Sequence, residues 1–396
     1  MTLYQRIAHF HDDMTSWRQE IHQYPETSFE EEKTAAFIAS KLASWGIEVH
    51  TGIAKTGVVG ILHGRGNGSR SIGLRADIDA LPIEELNDLP YRSKVAGKMH
   101  ACGHDGHTTM LLGAARYLAE TRNFDGIATF IFQPAEEGGG GAKVMMDEGI
   151  FERFPCDSVW GMHNDPRLPV GTIATREGAM LASADLATII IRGKGSHAAR
   201  PHEGIDPIAV GFHLYQGLQL IISRNTHPMA PAVISVCEFH AGNAINVIAN
   251  TARLTATIRT FDPEVRSLIE DRVKSLCDGI ADAHGCAIDL TYDKGYPALI
   301  NHPDETDFAG GVVEELLGAD GLARNGEASM GSEDFAYMLQ AKPGSFVRIG
   351  QAVTDNDYGL HHPRYNFNDA ILPIGASYWA RLVERALPLE GYEIQP

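Results

Sequence analysis

The chain has 396 residues, of which 44% are hydrophobic and 21% charged, and its 33 basic and 51 acidic residues give a formal charge of −18. This composition predicts a soluble globular protein of two or three domains. The acidic excess argues against a nucleic-acid or membrane partner, because such anionic surfaces are bound through clustered Lys and Arg. With no apolar run long enough to span a bilayer and no secretory signal pattern, we expect a cytoplasmic protein.

The first half of the chain alternates helical and β-like segments. Residues 3–23 have a helical pattern, and Ser28 with Glu31 is predicted to form a capping box that opens a second helix ending at Gly46. The sequence then predicts strands at 47–50, 57–64 and 71–76, a helix at 108–120, a strand at 127–133, a helix at 142–148, and strands at 158–162 and 171–175. Strands that alternate with helices favour an α/β domain with a mostly parallel sheet.

The pattern changes near Ser183 to the order strand, helix, strand, strand, helix, strand. This β-α-β-β-α-β order is typical of a ferredoxin-like sheet of four strands with two helices. After Pro297 the alternation of helices and strands resumes, and it ends in a helix at 373–387. We therefore predict a discontinuous α/β domain, residues 1–182 and 297–396, that is interrupted by an inserted α+β domain at 183–296.

Five short polar clusters follow predicted strands or precede a predicted helix. They are Asp77 with Asp79, Cys102 with His104, Glu136 with Glu137, His163, and His361 with His362. Because open α/β sheets bind ligands beyond the carboxyl ends of their strands, we expect these side chains to converge. The mixture of thiol, imidazole and carboxylate suits one or two ions of zinc, manganese, cobalt or nickel, whereas calcium would need more oxygen ligands.

Each of these residues also has an interpretation without a metal. A lone Cys102 commonly behaves as a small buried hydrophobic residue, a loop histidine commonly only forms hydrogen bonds, and Glu136 and Glu137 are ordinary solvated charges in many proteins. A papain-like nucleophilic role for Cys102 is a further alternative, although its C-x-H spacing suits a metal better. The segment 64–68 fails as a dinucleotide loop because a strand follows it, and no P-loop, nucleophile elbow or zincin helix is found.

The chain resembles the M20 family of metallopeptidases and amidohydrolases, in the branch of hippurate hydrolases, N-acyl-amino-acid amidohydrolases and indoleacetyl-amino-acid hydrolases. The matching segments occur in the family's order from near residue 17 to near residue 369: WRQEIHQYPETSFEEEKT, LRADIDALPIEE, MHACGHDGHTTMLLGAA, FQPAEEGGGGAKVM, GMHNDP, GKGSHAARPHEGIDPI, NAINVIANTARLTATIRTF, MGSEDFAYM and LHHPRYNFND. So many ordered matches are specific for the family and weakly specific for the substrate.

The resemblance implies a site for two divalent metal ions and a role for each matching residue. The implied metal ligands are Cys102, His104, Glu137, His163 and His361. Glu136 would be the general base and Asp79 a supporting catalytic residue. Asp77 stands where relatives outside this branch carry a histidine ligand, so its role stays open, and His362 is the alternative to His361.

The inserted domain resembles the family's lid and dimerisation domain. It would supply the substrate-binding residues His197, Asn246 and Arg259, to which the later Gly331 is added, and His197 would also stabilise the oxyanion. We therefore also expect a homodimer or homotetramer that forms through this domain.

The function that the resemblance implies is metal-dependent hydrolysis of N-acyl amino acids, including hippurate-like and N-acetyl conjugates, to a carboxylic acid and a free amino acid. The metal would be manganese, zinc, cobalt or nickel. One alternative is a metallo-exopeptidase that acts on dipeptides. Another is a metal-dependent binding protein without catalysis, against which the retained Glu136 argues, since a binder needs no base.

Overall fold

The chain folds into two compact units in a computed structural model that describes residues 2–354 and 358–392. Unit 1 comprises Met1–Gly178, Ile300–Glu327 and Tyr337–Pro396, and unit 2 comprises Ala179–Leu299 and Ala328–Ala336. Within the described residues, no helix has both the length and the apolar character that crossing a bilayer requires.

Helices and strands alternate along most of the described chain. The α-helices are α1 (Leu3–Ala8), α2 (His11–Gln23), α3 (Glu32–Ser44), α4 (His104–Thr121), α5 (Gly141–Asp147), α6 (Ile150–Arg153), α7 (Pro207–Asn225), α8 (Pro263–His284), α9 (Pro303–Leu317), α10 (Ala336–Ala341) and α11 (Leu372–Ala386). The strands are β1 (Glu48–Ile53), β2 (Gly57–His63), β3 (Ser71–Asp77), β4 (Ile127–Gln133), β5 (Ser158–Pro169), β6 (Ile173–Thr175), β7 (Gly178–Leu181), β8 (Asp185–Arg192), β9 (Ser196–His197), β10 (Ala232–Ala241), β11 (Val247–Ile248), β12 (Thr251–Thr260), β13 (Ala287–Lys294), β14 (Leu299–Asn301), β15 (Leu322–Arg324) and β16 (Gly344–Ala352).

Unit 1 is built on an eight-stranded sheet with the strand order β1-β2-β4-β3-β5-β16-β6-β15. The pairs β4–β3, β3–β5, β5–β16 and β6–β15 are parallel, whereas β1–β2, β2–β4 and β16–β6 are antiparallel. Strands β3, β4 and β16 are buried along almost their whole length. Such continuous burial is typical of strands that are covered on both faces. The predicted α/β class with a mostly parallel sheet is confirmed.

Two long helices of unit 1, α4 and α11, pack against each other and are buried along most of their length. Apolar side chains such as Leu111 and Trp379 join the same core as Phe130 of β4. The first turn of α4 therefore begins inside the core although it carries the polar residues His104 and His107. Buried polar groups need partners, so this turn is a natural place for a functional site.

Unit 2 contains a four-stranded antiparallel sheet with the strand order β10-β12-β8-β13 and the two helices α7 and α8. Burial alternates along β8 and β12, because one face of the sheet packs in the core of the unit with apolar residues of both helices. The order of elements confirms the predicted β-α-β-β-α-β arrangement.

Two local predictions for the first hundred residues need correction, of which the first is right in type and wrong in continuity. The helical segment 3–23 is two helices, α1 and α2. The capping box does not form, because α3 has Glu31 as its N-cap without a side-chain cap, while the Ser28 hydroxyl donates to Asp79 at 3.1 Å. Residues whose spacing is typical of a helix cap here make contacts with distant parts of the chain.

The predicted division into residues 1–182, 183–296 and 297–396 stays a prediction, as do the catalytic and lid roles. The structure groups the distant segment Ala328–Ala336 with Ala179–Leu299. The Ala182 amide donates to the carbonyl oxygens of Ser329 (3.2 Å) and Gly331 (2.8 Å). Such long-range pairing leaves no periodic signal in the sequence.

A buried carboxyl on α11 makes the stability of unit 1 depend on pH. Burial raises the pKa of Glu384 to about 7, although Arg381 opposes this, and Tyr117 donates to its Oε1 at 3.0 Å. A pKa that is higher in the folded chain adds stability that is complete below about pH 4.3, the unfolded value, and is lost as pH rises to about 7.

We therefore expect Glu384→Gln, which cannot ionise, to gain stability over the wild type as pH increases from 5 to 8. The gain should reach about 2–3 kcal/mol, since one pKa unit corresponds to about 1.4 kcal/mol. Denaturant midpoints across this pH range measure the effect, and Glu390→Gln at an exposed position is the control. A difference between Glu384→Gln and wild type that is constant with pH would contradict the ionisation argument.

Candidate metal and active site

The polar clusters come from separate elements of unit 1. Cys102 and His104 flank the start of α4, and Glu136 and Glu137 follow β4. His163 lies within β5, which is longer than predicted, so its place beyond a strand end was wrong. His361 lies in a turn that approaches α4, where its backbone amide donates to the Ala101 carbonyl at 2.8 Å.

These side chains converge in the structure. Among the described side chains of these clusters, three groups have donor atoms that all lie within 4.8 Å of one another: Cys102, His104 and His163; Cys102, Glu137 and His361; and His104, Glu136 and Glu137. Cys102 Sγ is 3.3 Å from His163 Nε2, and Glu137 Oε1 is 3.2 Å from His361 Nε2. Because the groups share members, all six residues belong to one constellation.

Two buried atoms of this constellation have no hydrogen-bond partner among residues 2–354 and 358–392. They are His104 Nε2 and Glu137 Oε1, which lie 3.9 Å apart. His361 Nε2 approaches Glu137 Oε1, but not in hydrogen-bonding geometry. Orphaned buried polar atoms are rare in proteins and require an explanation. An imidazole and a carboxylate oxygen beside a thiol and further imidazoles are suitable donors for a transition-metal ion, so the residues fit such an ion.

Asp79 orients two members of the constellation. Its Oδ1 lies 3.2 Å from His104 Nδ1, and its Oδ2 accepts from the Glu137 amide at 2.9 Å and from Ser28 at 3.1 Å. A histidine that donates one ring N–H to a carboxylate presents the lone pair of its other nitrogen in a fixed direction. Asp79 thus determines where His104 Nε2 points and where the Glu137 backbone lies.

The turn before Glu136 is held by a residue from the N-terminal part of the chain. Ala135 has a left-handed backbone (φ 54°), and its amide donates to Glu31 Oε1 at 2.9 Å. The same carboxylate accepts from the Phe29 amide at 3.0 Å and the Thr56 hydroxyl at 2.5 Å. Glu31 therefore fixes the backbone that directs Glu136 and Glu137 to the constellation.

The constellation favours positive charge at His104. Burial lowers the pKa of His104, but the carboxylates of Asp77, Asp79 and Glu137 outweigh burial and raise the pKa to about 10. The buried carboxylates around His104 outnumber the cations there, so they stabilise a positive charge on its ring. A bound divalent cation would balance the same negative charge in place of the proton.

Cys102 and His163 both favour their neutral forms. Burial raises the pKa of the Cys102 thiol well above its usual value, and Glu137 and Glu136 act in the same direction. Burial, with the neighbouring His107, holds the pKa of His163 well below its usual value. His163 is thus a neutral imidazole with a lone pair to offer, and Cys102 needs a nearby cation to become a thiolate.

The two adjacent histidines 361 and 362 have different surroundings. His361 has a left-handed backbone (φ 63°), and its side chain reaches Glu137. His362 stacks on Tyr358 with ring centroids 4.4 Å apart, and its Nδ1 accepts from the Arg364 amide at 3.0 Å. Only His361 of this pair is among the residues whose donor atoms converge with Cys102 and Glu137.

We expect His361→Ala to lose bound metal and at least about tenfold in kcat/KM, because one predicted ligand is removed. His362→Ala is the matched control, and it should keep both within about twofold. Metal content by mass spectrometry and hydrolysis rates check the two variants. The reverse ranking would show that His362 is the ligand.

Asp77 takes part in a buried network behind the constellation. Its Oδ1 lies 2.6 Å from His107 Nδ1, and its Oδ2 accepts from Arg75 at 2.8 Å and lies 3.8 Å from His104 Nε2. Burial alone would raise the pKa of Asp77, but His104, His107 and Arg75 hold it well below its usual range. Asp77 therefore is a charged group already engaged by His107 and Arg75.

The predicted substrate-binding residues lie in unit 2 as two neighbouring pairs. His197 pairs with Val247 between β9 and β11, and the Asn246 carbonyl accepts from the Ala198 amide at 3.1 Å. Arg259 Nη1 donates to the hydroxyl of Ser332 at 3.1 Å, next to Gly331. All four predicted substrate-binding residues belong to unit 2.

Residues that position the constellation were not found from the sequence. They include Ser28, Glu31, Asn164 and Tyr365. Asn164 directly follows the predicted ligand His163, and this proximity is the one signal that could have indicated it. Tyr365 follows the predicted ligand His361 by four residues, whereas Ser28 and Glu31 are far from any ligand in sequence, and their contacts appear only in the folded chain.

Residues 73–385 match Peptidase family M20/M25/M40, and the chain belongs to this family of hydrolases that act on amide bonds. It is similar to the hippurate hydrolase of Campylobacter jejuni, with 42% identity over 98% of this chain and 100% of that protein. It is also similar to the N-acetyl-L-cysteine deacetylase of Bacillus subtilis, with 41% identity over 91% of this chain and 85% of that protein.

Among solved structures, the chain is similar to the YXEP protein of Bacillus subtilis, described as a dinuclear metal-binding peptidase of the M20 family. The TM-score is 0.83 and the identity 35%, over 96% of this chain and 99% of the other. A match along nearly the full length of both chains confirms the resemblance that the motifs predicted.

Proposed function

We propose that this protein is a metal-dependent amidohydrolase that cleaves N-acyl amino acids to a carboxylic acid and a free amino acid. The observation that carries the proposal is the pair of orphaned buried atoms, His104 Nε2 and Glu137 Oε1, at the centre of a converging donor set. The similarity to a hippurate hydrolase and an N-acetyl-L-cysteine deacetylase supports the substrate class. A hydrolysis screen over different N-acyl amino acids determines which acyl group and which amino acid the enzyme prefers.

The proposed cofactor is a pair of divalent ions of manganese, zinc, cobalt or nickel. The proposed ligands are Cys102, His104, Glu137, His163 and His361. Imidazole, thiolate and carboxylate donors suit these borderline metals, and the mixture does not choose among them. The similar YXEP protein, described as dinuclear, supports the number of ions.

Bound divalent ions would polarise the scissile carbonyl and make water acidic enough to attack it near neutral pH. Glu136 is the proposed general base, because it is only 7% exposed and its carboxylate lies within 4.8 Å of donor atoms of His104 and Glu137. It would take a proton from the attacking water and deliver it to the leaving amine. This use of one carboxylate for both transfers requires the fixed position that the Ala135 turn provides.

The chain's other residues prepare the site. Asp79 keeps His104 Nε2 directed into the constellation. His163 Nδ1 donates to the Asn164 carbonyl at 2.7 Å, so its Nε2 carries the lone pair that faces Cys102. With both rings held in one orientation, little reorganisation is needed when the ligands are used.

The proposed substrate contacts are His197, Asn246, Arg259 and Gly331 in unit 2. A substrate of this class carries a carboxylate next to the scissile amide, and the guanidinium of Arg259 and the amide of Asn246 are suitable donors for it. His197 would donate to the developing oxyanion. Its exposed ring accepts from the Ala199 amide through Nδ1 at 3.1 Å, which leaves Nε2 as the N–H donor.

Self-association through unit 2 is also proposed, as a homodimer or homotetramer. Strand β10 is an edge of the four-stranded sheet, and unpaired strand edges can pair with a second copy. Beside it, helix α7 exposes Ile208, Phe212 and Tyr215 on one face, as the spacing of four and three residues places them. The mass of the protein in solution, measured by light scattering, decides between monomer, dimer and tetramer.

A cytoplasmic location stays a prediction from the sequence.

The experiment that tests the function is a hydrolysis screen after reconstitution with each of the four metals separately. N-acetyl and N-benzoyl amino acids are compared with free dipeptides of the same C-terminal residue. Faster cleavage of the N-acyl compounds supports the proposal, and faster cleavage of dipeptides identifies an exopeptidase. Tight binding of N-acyl amino acids without turnover by any metal form would instead identify a binding protein.

A further inference from the structure

The turn between Cys102 and His104 is packed tightly against two buried polar side chains. Gly103 has a left-handed backbone (φ 100°). A Cβ placed there would lie 2.4 Å from Asn164 Oδ1 and 2.7 Å from the Tyr365 hydroxyl. These distances leave no room for a side chain, so the amide of Asn164 forms the surface on which the turn rests.

Asn164 is 1% exposed, and each of its polar groups lies within hydrogen-bond distance of a neighbouring group. Its Nδ2 donates to Gln351 Oε1 at 2.9 Å and to the Tyr365 hydroxyl at 2.7 Å. Its Oδ1 and backbone nitrogen lie 2.7 and 3.0 Å from His107 Nε2, and His107 in turn contacts Asp77. The side chain is therefore fixed from three directions.

The same residue also controls the ring of His163. The His163 Nδ1–H donates to the carbonyl oxygen of Asn164 at 2.7 Å, and Nε2 is then 3.3 Å from Cys102 Sγ. Asn164 thus contacts both parts of the constellation, the turn through its side chain and the ring through its carbonyl. The turn and the ring belong to separate elements: the turn leads into α4, and His163 lies in strand β5.

We propose that Asn164 is a positioning residue that sets the distance between the Cys102–His104 turn and His163, and so the metal affinity of the site. This inference rests on the metal site proposed above and adds a residue that binds no metal itself. The amide is suited to the task because it must accept and donate at once, while staying uncharged beside the acidic groups of the site. Outer partners of this kind typically change metal affinity by about 10- to 100-fold.

The test compares Asn164→Ala with Asn301→Ala in the full chain. Asn301 is a matched control, since it is also 1% exposed in unit 1 and binds backbone atoms of Arg176 and Phe346 through its side chain. The probe is Co²⁺, whose dissociation constant is measured by competition with a chelator and whose visible absorption bands report the coordination geometry. Tyr365→Phe, which removes one hydroxyl, is the milder variant if Asn164→Ala does not fold.

We expect Asn164→Ala to weaken Co²⁺ binding by about 10- to 100-fold and to shift the absorption bands, with a smaller effect in the same direction for Tyr365→Phe. Asn301→Ala should lower thermal stability without either change. Equal affinity and spectra in wild type and Asn164→Ala, or an equal loss in Asn301→Ala, would overturn the inference. A wild-type chain that binds no Co²⁺ would instead overturn the proposed metal site itself.

Discussion

We expect Glu136→Gln to lower kcat for an N-acyl amino acid by about 10²- to 10⁴-fold, the usual contribution of a general base. Glutamine has nearly the same shape as glutamate but cannot take a proton from water. The bound metal should stay at the wild-type level, because Glu136 is proposed as the base and not as a ligand. Steady-state kinetics together with metal analysis of the same sample measure both quantities.

Glu137→Gln, at the next residue, is the matched control for this result. It removes the charge from the proposed ligand whose Oε1 is orphaned, so it should lose metal as well as activity. The two neighbours thus separate catalysis from ligation. A Glu136→Gln protein with more than about a tenth of the wild-type kcat would show that the base lies elsewhere.

Removal of metal should have an effect at least as large, on activity and on stability together. Without a cation, His104 Nε2 and Glu137 Oε1 stay unsatisfied, and the acidic groups around His104 lack their counter-charge. We expect a strong chelator to abolish hydrolysis and a divalent metal to restore it. An ion at 100 times its dissociation constant adds about 2.7 kcal/mol of stability to the folded chain.

The measurement is the unfolding temperature and the hydrolysis rate of the same chelated sample, before and after metal is added. Cys102→Ala is the informative variant, because the loss of a proposed ligand should reduce both the thermal shift and the recovered activity. If chelated protein hydrolyses N-acyl amino acids as fast as untreated protein, the metal mechanism is wrong.

The fold class could be predicted because its signals are local and repeated. Apolar runs such as Ile127–Gln133 identify buried strands, and the order of elements after Ser183 specifies the small antiparallel sheet. Local patterns gave a wrong prediction where a side chain forms its hydrogen bonds with residues far away in the sequence. Ser28 and Glu31 have the spacing of a capping box, but the structure uses them to hold Asp79 and Ala135.

For the candidate site, residue types and order predicted which clusters to consider, and the resemblance gave each residue a role. The structure brings Cys102, His104, Glu137, His163 and His361 into one constellation, and their roles stay predictions. The resemblance put His361 before His362, but residue types alone could not choose between them, because the choice depends on which ring faces Glu137 after the turn closes. Asn164 was missed for a similar reason, since an Asn beside a ligand is common and only its contacts distinguish it.

The chain passes between the two units four times, at 178–179, 299–300, 327–328 and 336–337. Protein engineers who exchange the inserted unit between relatives would ordinarily cut once before it and once after it. Here a single block of residues 179–299 would leave behind the segment 328–336, whose carbonyls accept from Ala182. A successful chimaera must therefore transfer two pieces of sequence, and the short second piece carries Gly331 and the Ser332 partner of Arg259 with it.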